Sequence, residues 1–234
     1  MKIRLAALLA CMALSAPLAA QQFDTISFGV DGGYPPFDVL APSGEITGFD
    51  IDIANALCTQ LKAKCVFVKQ PFESMIAALN AHKFDAIIAS LNITDERKKE
   101  VDFTDRYYRS GAQLVARKGS PLLPDAASLK GKTVGVQTGS THEAFAKANW
   151  ANHGVKIVGY ANQDNVYLDL LSGRIDAALQ DNIQAATGFI DTPRGQKFAF
   201  AGPVIQDGGI SSDVGIAVNK DNPALRDALN GAIK

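Results

Sequence analysis

The sequence predicts an α/β protein of two similar lobes, each a parallel-rich sheet flanked by helices, joined by two hinge crossings. Three observations lead there. Short apolar runs alternate with helical periodicity through residues 25–89, the same alternation restarts at Lys132, and a segment of the first unit is echoed in the second. With 234 residues the chain has room for one large domain or two small ones. A hydrophobic fraction of 47% and a charged fraction of 20% suit a globular chain and argue against a disordered one.

Residues 1–20 read as an export signal, with Lys2 and Arg4 at the start, an apolar run over Leu5–Leu14, and Pro17, Ala19 and Ala20 as a small-residue exit. The run is shorter than the roughly 20 residues a spanning helix needs. Cys11 gives it a faint likeness to a lipoprotein processing site, but the apolar run continues past it. Thr25–Val30 then forms a short strand. Phe49–Leu61 places Ile51, Ile53, Ala54, Leu57 and Leu61 at helical spacing, with Asp50 and Asp52 in the first turn, where acids suit the helix dipole. Cys65–Val68 is a strand, Glu73–Ala81 a helix with Met75, Ile76 and Leu79 on one face, and Asp85–Ala89 a strand. Cys58 and Cys65 join a helix end to a strand start, and export favours a disulfide between them over free thiols. So short a loop gains roughly 2.5 kcal/mol by chain entropy. A zinc site would need further ligands, and no His or third Cys lies nearby.

The second unit runs through a strand at Lys132–Val136, a helix at Ser140–Trp150, a strand at Val155–Tyr160, a helix at Asp164–Leu171, a strand at Ile175–Gln180 and a helix at Asn182–Ile190. Lys83–Ala89 and Arg174–Gln180 are the echo, each basic, apolar, Asp, Ala and then apolar. Between the units lie Asp105–Gly111 and an extended stretch, Gln113–Arg117. After them come a Gly/Pro-rich loop at Ala201–Gly209, a strand at Val214–Val218 and a helix at Asn222–Ile233 with Pro223 near its start. The chain thus leaves the first lobe once and returns once, giving a first lobe of residues 21–109 and 208–234 and a second of residues 110–207. No closing element follows the last helix before Lys234, so a shortened C-terminus is expected, with a naturally short end as the alternative.

Charge excludes some functions. The 23 basic and 24 acidic residues are interspersed, which disfavours nucleic acid as a partner. There is no nucleophile elbow, P-loop or dinucleotide fingerprint, and His82, His142 and His153 stand in no metal-ligand spacing. Neither an enzyme nor a cofactor is expected. Polar and aromatic residues gather instead at strand ends, where open parallel sheets bind ligands. Asp31 and Tyr34 follow the first strand, and Ser90–Asn92 and Asp181 end the two echo strands. Arg97, if it turns inward from its charge run, presents a planar fork to a carboxylate. Gly139–Glu143 opens a helix whose start suits an anion, with Ser140 and Glu143 at capping-box spacing. Arg97 and Asp181 would complement the two charges of a free α-amino acid. Asp31 remains for a cationic side chain, and Tyr34 and Phe72 for its stem. Each residue also has a plain reading: a turn for Asp31, a core cap for Tyr34, helix caps for Ser140 and Asp181, and a solvated run for Arg97.

From Asp24 to Lys234 the chain carries Gly48-Phe49-Asp50-Ile51-Asp52, Ile93-Thr94-Asp95-Glu96-Arg97, Phe103-Thr104-Asp105, Leu129-Lys130-Gly131-Lys132 and Gly173-Arg174-Ile175-Asp176-Ala177. Together these resemble the polar amino-acid-binding proteins of bacterial ABC importers, above all the lysine/arginine/ornithine-, histidine- and arginine-binding proteins. The resemblance implies a type II periplasmic binding protein fold, monomeric and exported to the periplasm. It implies capture of a cationic L-amino acid, arginine first, for delivery to an ABC permease of the inner membrane. Carried over by position, Arg97 and the backbone near Thr141 bind the ligand carboxylate. Asp181 and Ser90 bind its ammonium, Tyr34 and Phe72 sandwich the side chain, and Asp31 takes the distal nitrogen. Ala89 and Asn92 stand where the lysine/arginine/ornithine subgroup has serines. Gln137 and His142 replace its leucine and glutamine and look more like the arginine-specific subgroup. Set against the resemblance, the short end at Lys234 leads one to expect that the family's final helices are absent. A neutral ligand such as glutamine, a dehydratase on the same fold with Asp181 or Glu73 as its acid, and a sensor module are the alternatives.

Overall fold

A computed structural model describes residues 23–205, 210 and 212–234. The expected export signal and part of the Ala201–Gly209 loop lie outside the described residues. In chain order the elements are β1 (Thr25–Val30), β2 (Gly33–Tyr34), β3 (Asp38–Leu40), β4 (Ile46–Thr47), α1 (Phe49–Leu61), β5 (Lys64–Lys69), α2 (Met75–Asn80), β6 (Ala86–Ile87), α3 (Asp95–Lys98), β7 (Asp102–Phe103), β8 (Tyr108–Arg109) and β9 (Ala112–Arg117). There follow α4 (Ala126–Leu129), β10 (Thr133–Gln137), α5 (Thr141–Asn149), β11 (Lys156–Tyr160), α6 (Gln163–Ser172), β12 (Ala177–Asp181), α7 (Asn182–Ala185), β13 (Phe198–Phe200), β14 (Asp213–Val214), β15 (Ala217–Val218) and α8 (Pro223–Ile233). Among the described residues no helix is long and apolar enough to cross a membrane.

Two five-stranded sheets organise the molecule, in the orders β5-β1-β6-β15-β7 and β11-β10-β12-β9-β13. In each, the first three strands are parallel, and the fourth runs antiparallel to both its neighbours. This is the mixed α/β fold the alternation predicts. Helices cover both faces, so the inner strands such as β1 and β12 are mostly buried, while the edge strand β5 still alternates. On the first sheet Ile51, Ala54 and Leu57 of α1 meet Ile26, Phe28 and Val30, joined by Leu225 and Leu229 of α8, while Met75 and Leu79 pack the other face. On the second, Leu129, Ala146 and Trp150 lie on one side and Tyr167, Leu170 and Phe189 on the other. Cys58 and Cys65 are disulfide-bonded at a Cα separation of 5.8 Å, tying α1 to β5.

The sequence echo has a physical origin. The Asp85 carboxylate accepts from the backbone N–H and the hydroxyl of Ser27, and its own N–H donates to the Ser27 carbonyl at 2.9 Å. The Asp176 carboxylate accepts from the Thr133 N–H at 2.8 Å, and its N–H donates to the Thr133 carbonyl at 2.9 Å. Each aspartate staples the leading ends of two parallel strands.

Three elements differ from the sequence expectation. The helix expected over Glu73–Ala81 is a 3-10 turn at Phe72–Ser74 followed by α2, because Ser74 leaves helical geometry, with ψ at 5°. The helix expected over Asn182–Ile190 changes after Ala185 into a π-helical turn at Ala186–Ile190. The strand expected over Val214–Val218 is split, with β14 pairing β8 and β15 entering the first sheet. Gly215 marks the break, where a Cβ would come within 2.8 Å of Ile93.

Candidate ligand-binding site

The carboxyl ends of β1, β6 and β10 converge on a narrow cleft. Asp31, Tyr34, Phe72, Ala89, Ser90 and Asn92 line it from the first sheet, and Gln137, Ser140 and His142 from the second. Its open space is about 20 Å³, room for about one water, so anything larger enters only as the walls part. A larger hollow of about 730 Å³ lies beside α8. Its charges already satisfy one another, with Arg226 to Asp102 at 2.9 Å and Arg106 to Asp213 at 3.6 Å, which leaves little for a charged ligand to complete.

Arg97 belongs to α3, whose start is capped by the Thr94 hydroxyl accepting from the Arg97 N–H at 3.2 Å. Lys98 and Lys99 stay on the exposed side, paired with Asp95 and Glu96. The Arg97 guanidinium turns inward instead. Nη1 donates to the Asn92 carbonyl at 2.8 Å and Nη2 to the Gly139 carbonyl at 3.1 Å, across to the second sheet, and the group sits 5.7 Å from the Phe72 ring centroid. Among the described residues no carboxylate pairs with it. Burial lowers its pKa to about 10, so it stays charged at neutral pH.

Opposite Arg97 lies the start of α5. The Ser140 hydroxyl accepts from the Glu143 N–H at 3.1 Å, and the Glu143 carboxylate accepts from the Gly139 N–H at 2.8 Å. The plain capping role of Ser140 is therefore real. The N–H groups of Thr141 and His142 belong to the first turn, where a helix has no internal acceptors. The Thr141 hydroxyl donates to Asn92 Oδ1 at 3.0 Å, a second bond between the two sides.

The acids face another way. Asp31 is 6% exposed and its Oδ2 accepts from Gln137 Nε2 at 3.1 Å. Burial raises its pKa to about 6, against the lowering effects of Gln137, the Phe72 backbone and Lys69. Asp181 is not among the residues lining the cleft. It ends β12, buried, and caps α7 by accepting from the Gln184 N–H at 2.9 Å. Burial raises its pKa too. Burial first, and then the Asp181 charge, hold the Tyr34 and Tyr108 hydroxyls well above their usual range.

Two aspartates that sequence reasoning did not place in the site underlie it. Asp50 is fully buried, and its Oδ2 accepts from the Ser90 N–H at 2.6 Å and the Ser90 hydroxyl at 3.0 Å, while Oδ1 accepts from the Tyr107 hydroxyl at 2.8 Å. Ser90 is held at φ 50°, a left-handed conformation costly for serine, and the two bonds to Asp50 oppose that cost. Because its proton goes to Asp50, the Ser90 oxygen keeps lone pairs to offer a donor. Asp38 accepts from the N–H groups of Asp31 at 3.1 Å and Tyr34 at 3.2 Å, fixing the loop that carries both. Burial raises the pKa of Asp50 to about 6 and that of Asp38 well above the usual carboxylate range. None of the four buried acids forms an ion pair among the described residues. His142, which the sequence marks as a departure from a subgroup, faces the cleft. Burial and then the Arg97 charge bring its pKa down to about 4, so it is neutral there.

Residues 26–234 match the family model of bacterial extracellular solute-binding proteins, family 3. The lysine/arginine/ornithine-binding periplasmic protein of Escherichia coli is 46% identical over 211 residues, covering 90% of this chain and 81% of that one. The L-arginine-binding protein of Pseudomonas aeruginosa is 41% identical over 233 residues, covering 99% and 90%. Among solved structures, an ancestral arginine-binding protein bound to arginine superposes with a TM-score of 0.83 at 36% identity, covering 91% and 92%.

Proposed function

Because this chain belongs to the bacterial extracellular solute-binding proteins, family 3, we propose that it captures a cationic L-amino acid in the periplasm, L-arginine first, and hands it to an ABC permease. One observation carries the choice of ligand. A half-buried guanidinium without a carboxylate partner stands beside the cleft, and Asp31, a buried carboxylate without an ion-pair partner among the described residues, lines it. An amino acid with a second positive charge complements both. In this reading the ligand carboxylate sits between Arg97 and the α5 start at Thr141. The ammonium meets Asp181 and the Ser90 oxygen, and the stem lies between Tyr34 and Phe72. The distal guanidinium reaches Asp31 beside Gln137, with Ala89 and Asn92 flanking and Ser140 holding the helix start. The lobes, residues 21–109 with 208–234 and residues 110–207, close on the ligand as a monomer, because neither half-site is complete alone.

A thermal-shift screen of the exported protein against the amino acids and ornithine tests this. At a ligand concentration 100 times the dissociation constant the stabilisation is about 2.7 kcal/mol, or several degrees. The expected result is a shift for arginine above lysine, ornithine and histidine. A shift for glutamine equal to that for arginine overturns the cationic reading, and a folded protein that responds to none of them overturns the function.

A further inference from the structure

Besides the contacts at Arg97, Asn92 and Asp31, one bond joins the two sides at a residue outside the cleft. Gln184 of α7 is fully buried, and its Nε2 donates to the Pro35 carbonyl at 2.7 Å. Its Oε1 accepts from the Tyr167 hydroxyl, which in turn accepts from Gln180 Nε2. The donors run in one direction, Gln180 to Tyr167 to Gln184 to Pro35, which fixes the orientation of the Gln184 amide. The approach is shaped as well. A Cβ on Gly188, one turn on, would come within 2.2 Å of the Pro35 oxygen, so the contact needs a residue without one.

The same short helix holds two other groups. The Gln184 N–H is the donor that Asp181 caps, and Asn182 Oδ1 accepts from the Ser110 hydroxyl at 3.0 Å and the Gly111 N–H at 3.2 Å, at the crossing between the sheets. Pro35 is bonded directly to Tyr34, a wall of the cleft. We propose that Gln184 is a latch, a positioning residue that holds the Tyr34–Pro36 loop closed over the Asp181 side and so sets how fast a bound amino acid escapes. This rests on the amino-acid-binding reading above.

Two variants test it with L-arginine as the probe. Gln184→Glu keeps the acceptor for Tyr167 but offers Pro35 no donor. Gly188→Ala keeps every hydrogen-bonding group, but its Cβ would crowd the Pro35 oxygen at 2.2 Å and Gln184 Nε2 at 2.8 Å, driving the Pro35 carbonyl away. In stopped-flow binding, both are expected to dissociate arginine about tenfold faster, a loss typical of one buried hydrogen bond, with association rates within about twofold of the parent. Without ligand, X-ray scattering is expected to give both a larger radius of gyration than the parent. A residue that merely supports its own sheet predicts a parental dissociation rate for Gln184→Glu, since the Tyr167 bond survives. Parental dissociation rates in both variants overturn the latch. If the parent itself ignores arginine, the functional reading fails, and equal radii of gyration in the three proteins then overturn the latch separately.

Discussion

In the first sheet the antiparallel strand beside β6 is β15, which follows that sheet's parallel strands in the chain, whereas in the second the antiparallel strand beside β12 is β9, which precedes them. The layout is otherwise the same: three parallel strands, a fourth that runs against them, a fifth that pairs antiparallel with the fourth, and an aspartate stapling the leading ends at Asp85 or Asp176. The trailing ends share nothing comparable. The first sheet presents Asp31, Ser90 over Asp50, and the Arg97 guanidinium, and the second presents the start of α5 and Asp181. The frame is duplicated and the chemistry is divided. In the proposed binding mode each ligand charge meets one partner from either sheet, Arg97 with Thr141 and Ser90 with Asp181.

The sharpest way to break this division is at Arg97. Arg97→Ala removes the charged partner from the carboxylate and is expected to weaken arginine binding about 100-fold or more, read by titration calorimetry. A dissociation constant within a few-fold of the parent refutes the assignment. Asp31 comes next. Asp31→Asn is expected to weaken arginine about tenfold while sparing glutamine. Equal losses for the two ligands would sink the distal-cation role.

Acidity separates the same group from the rest. Its pKa, raised to about 6 in the ligand-free protein, means that protonation below pH 6 removes the acceptor for the ligand cation. Arginine affinity is expected to fall from pH 7 to pH 5, and Asp31→Asn to flatten that dependence. Stability moves the opposite way. A carboxyl whose folded pKa lies above its unfolded value binds more protons when folded, so Asp31 and Asp50 make the ligand-free protein more stable as pH falls through about 6 towards 4. The smallest effects belong to the staples. Asp85→Ala and Asp176→Ala are each expected to lower stability by about 1 kcal/mol, the former more because Asp85 also accepts from the Ser27 hydroxyl, with arginine affinity unchanged. Denaturant unfolding beside calorimetry checks both halves, and loss of binding in either variant would erase the distinction between frame and site.

The long elements are legible in the sequence because each carries its own period. Thr25–Val30, Phe49–Leu61 and Thr133–Gln137 bury what their patterns say they bury. Strands as short as β2, β7 and β8 are not legible, since they exist only through their partners. In the site, Asp31, Tyr34 and Ser90 stand out as polar or aromatic groups near strand ends, whereas Gln137 is singled out only by the family resemblance. Asp50 is harder to read, because an acid in the first turn of a helix looks the same whether it faces water or, as here, receives Ser90 and Tyr107 in the interior. Asp181 illustrates the converse, a helix cap in sequence that is a cap in the structure as well as a buried charge.

The placement of β15 has a consequence for how the chain matures. The second sheet is assembled from strands that lie between Ala112 and Phe200, so it is complete once that stretch has emerged. The first sheet receives β1, β5 and β6 early but lacks its middle antiparallel strand until residues 217–218 arrive, followed by α8 with Leu225 and Leu229 to cover α1. A chain threaded out N-terminus first would therefore finish its later half before its earlier one. The unfinished half would meanwhile expose a β6 edge, the kind of surface that holdase chaperones shield from aggregation.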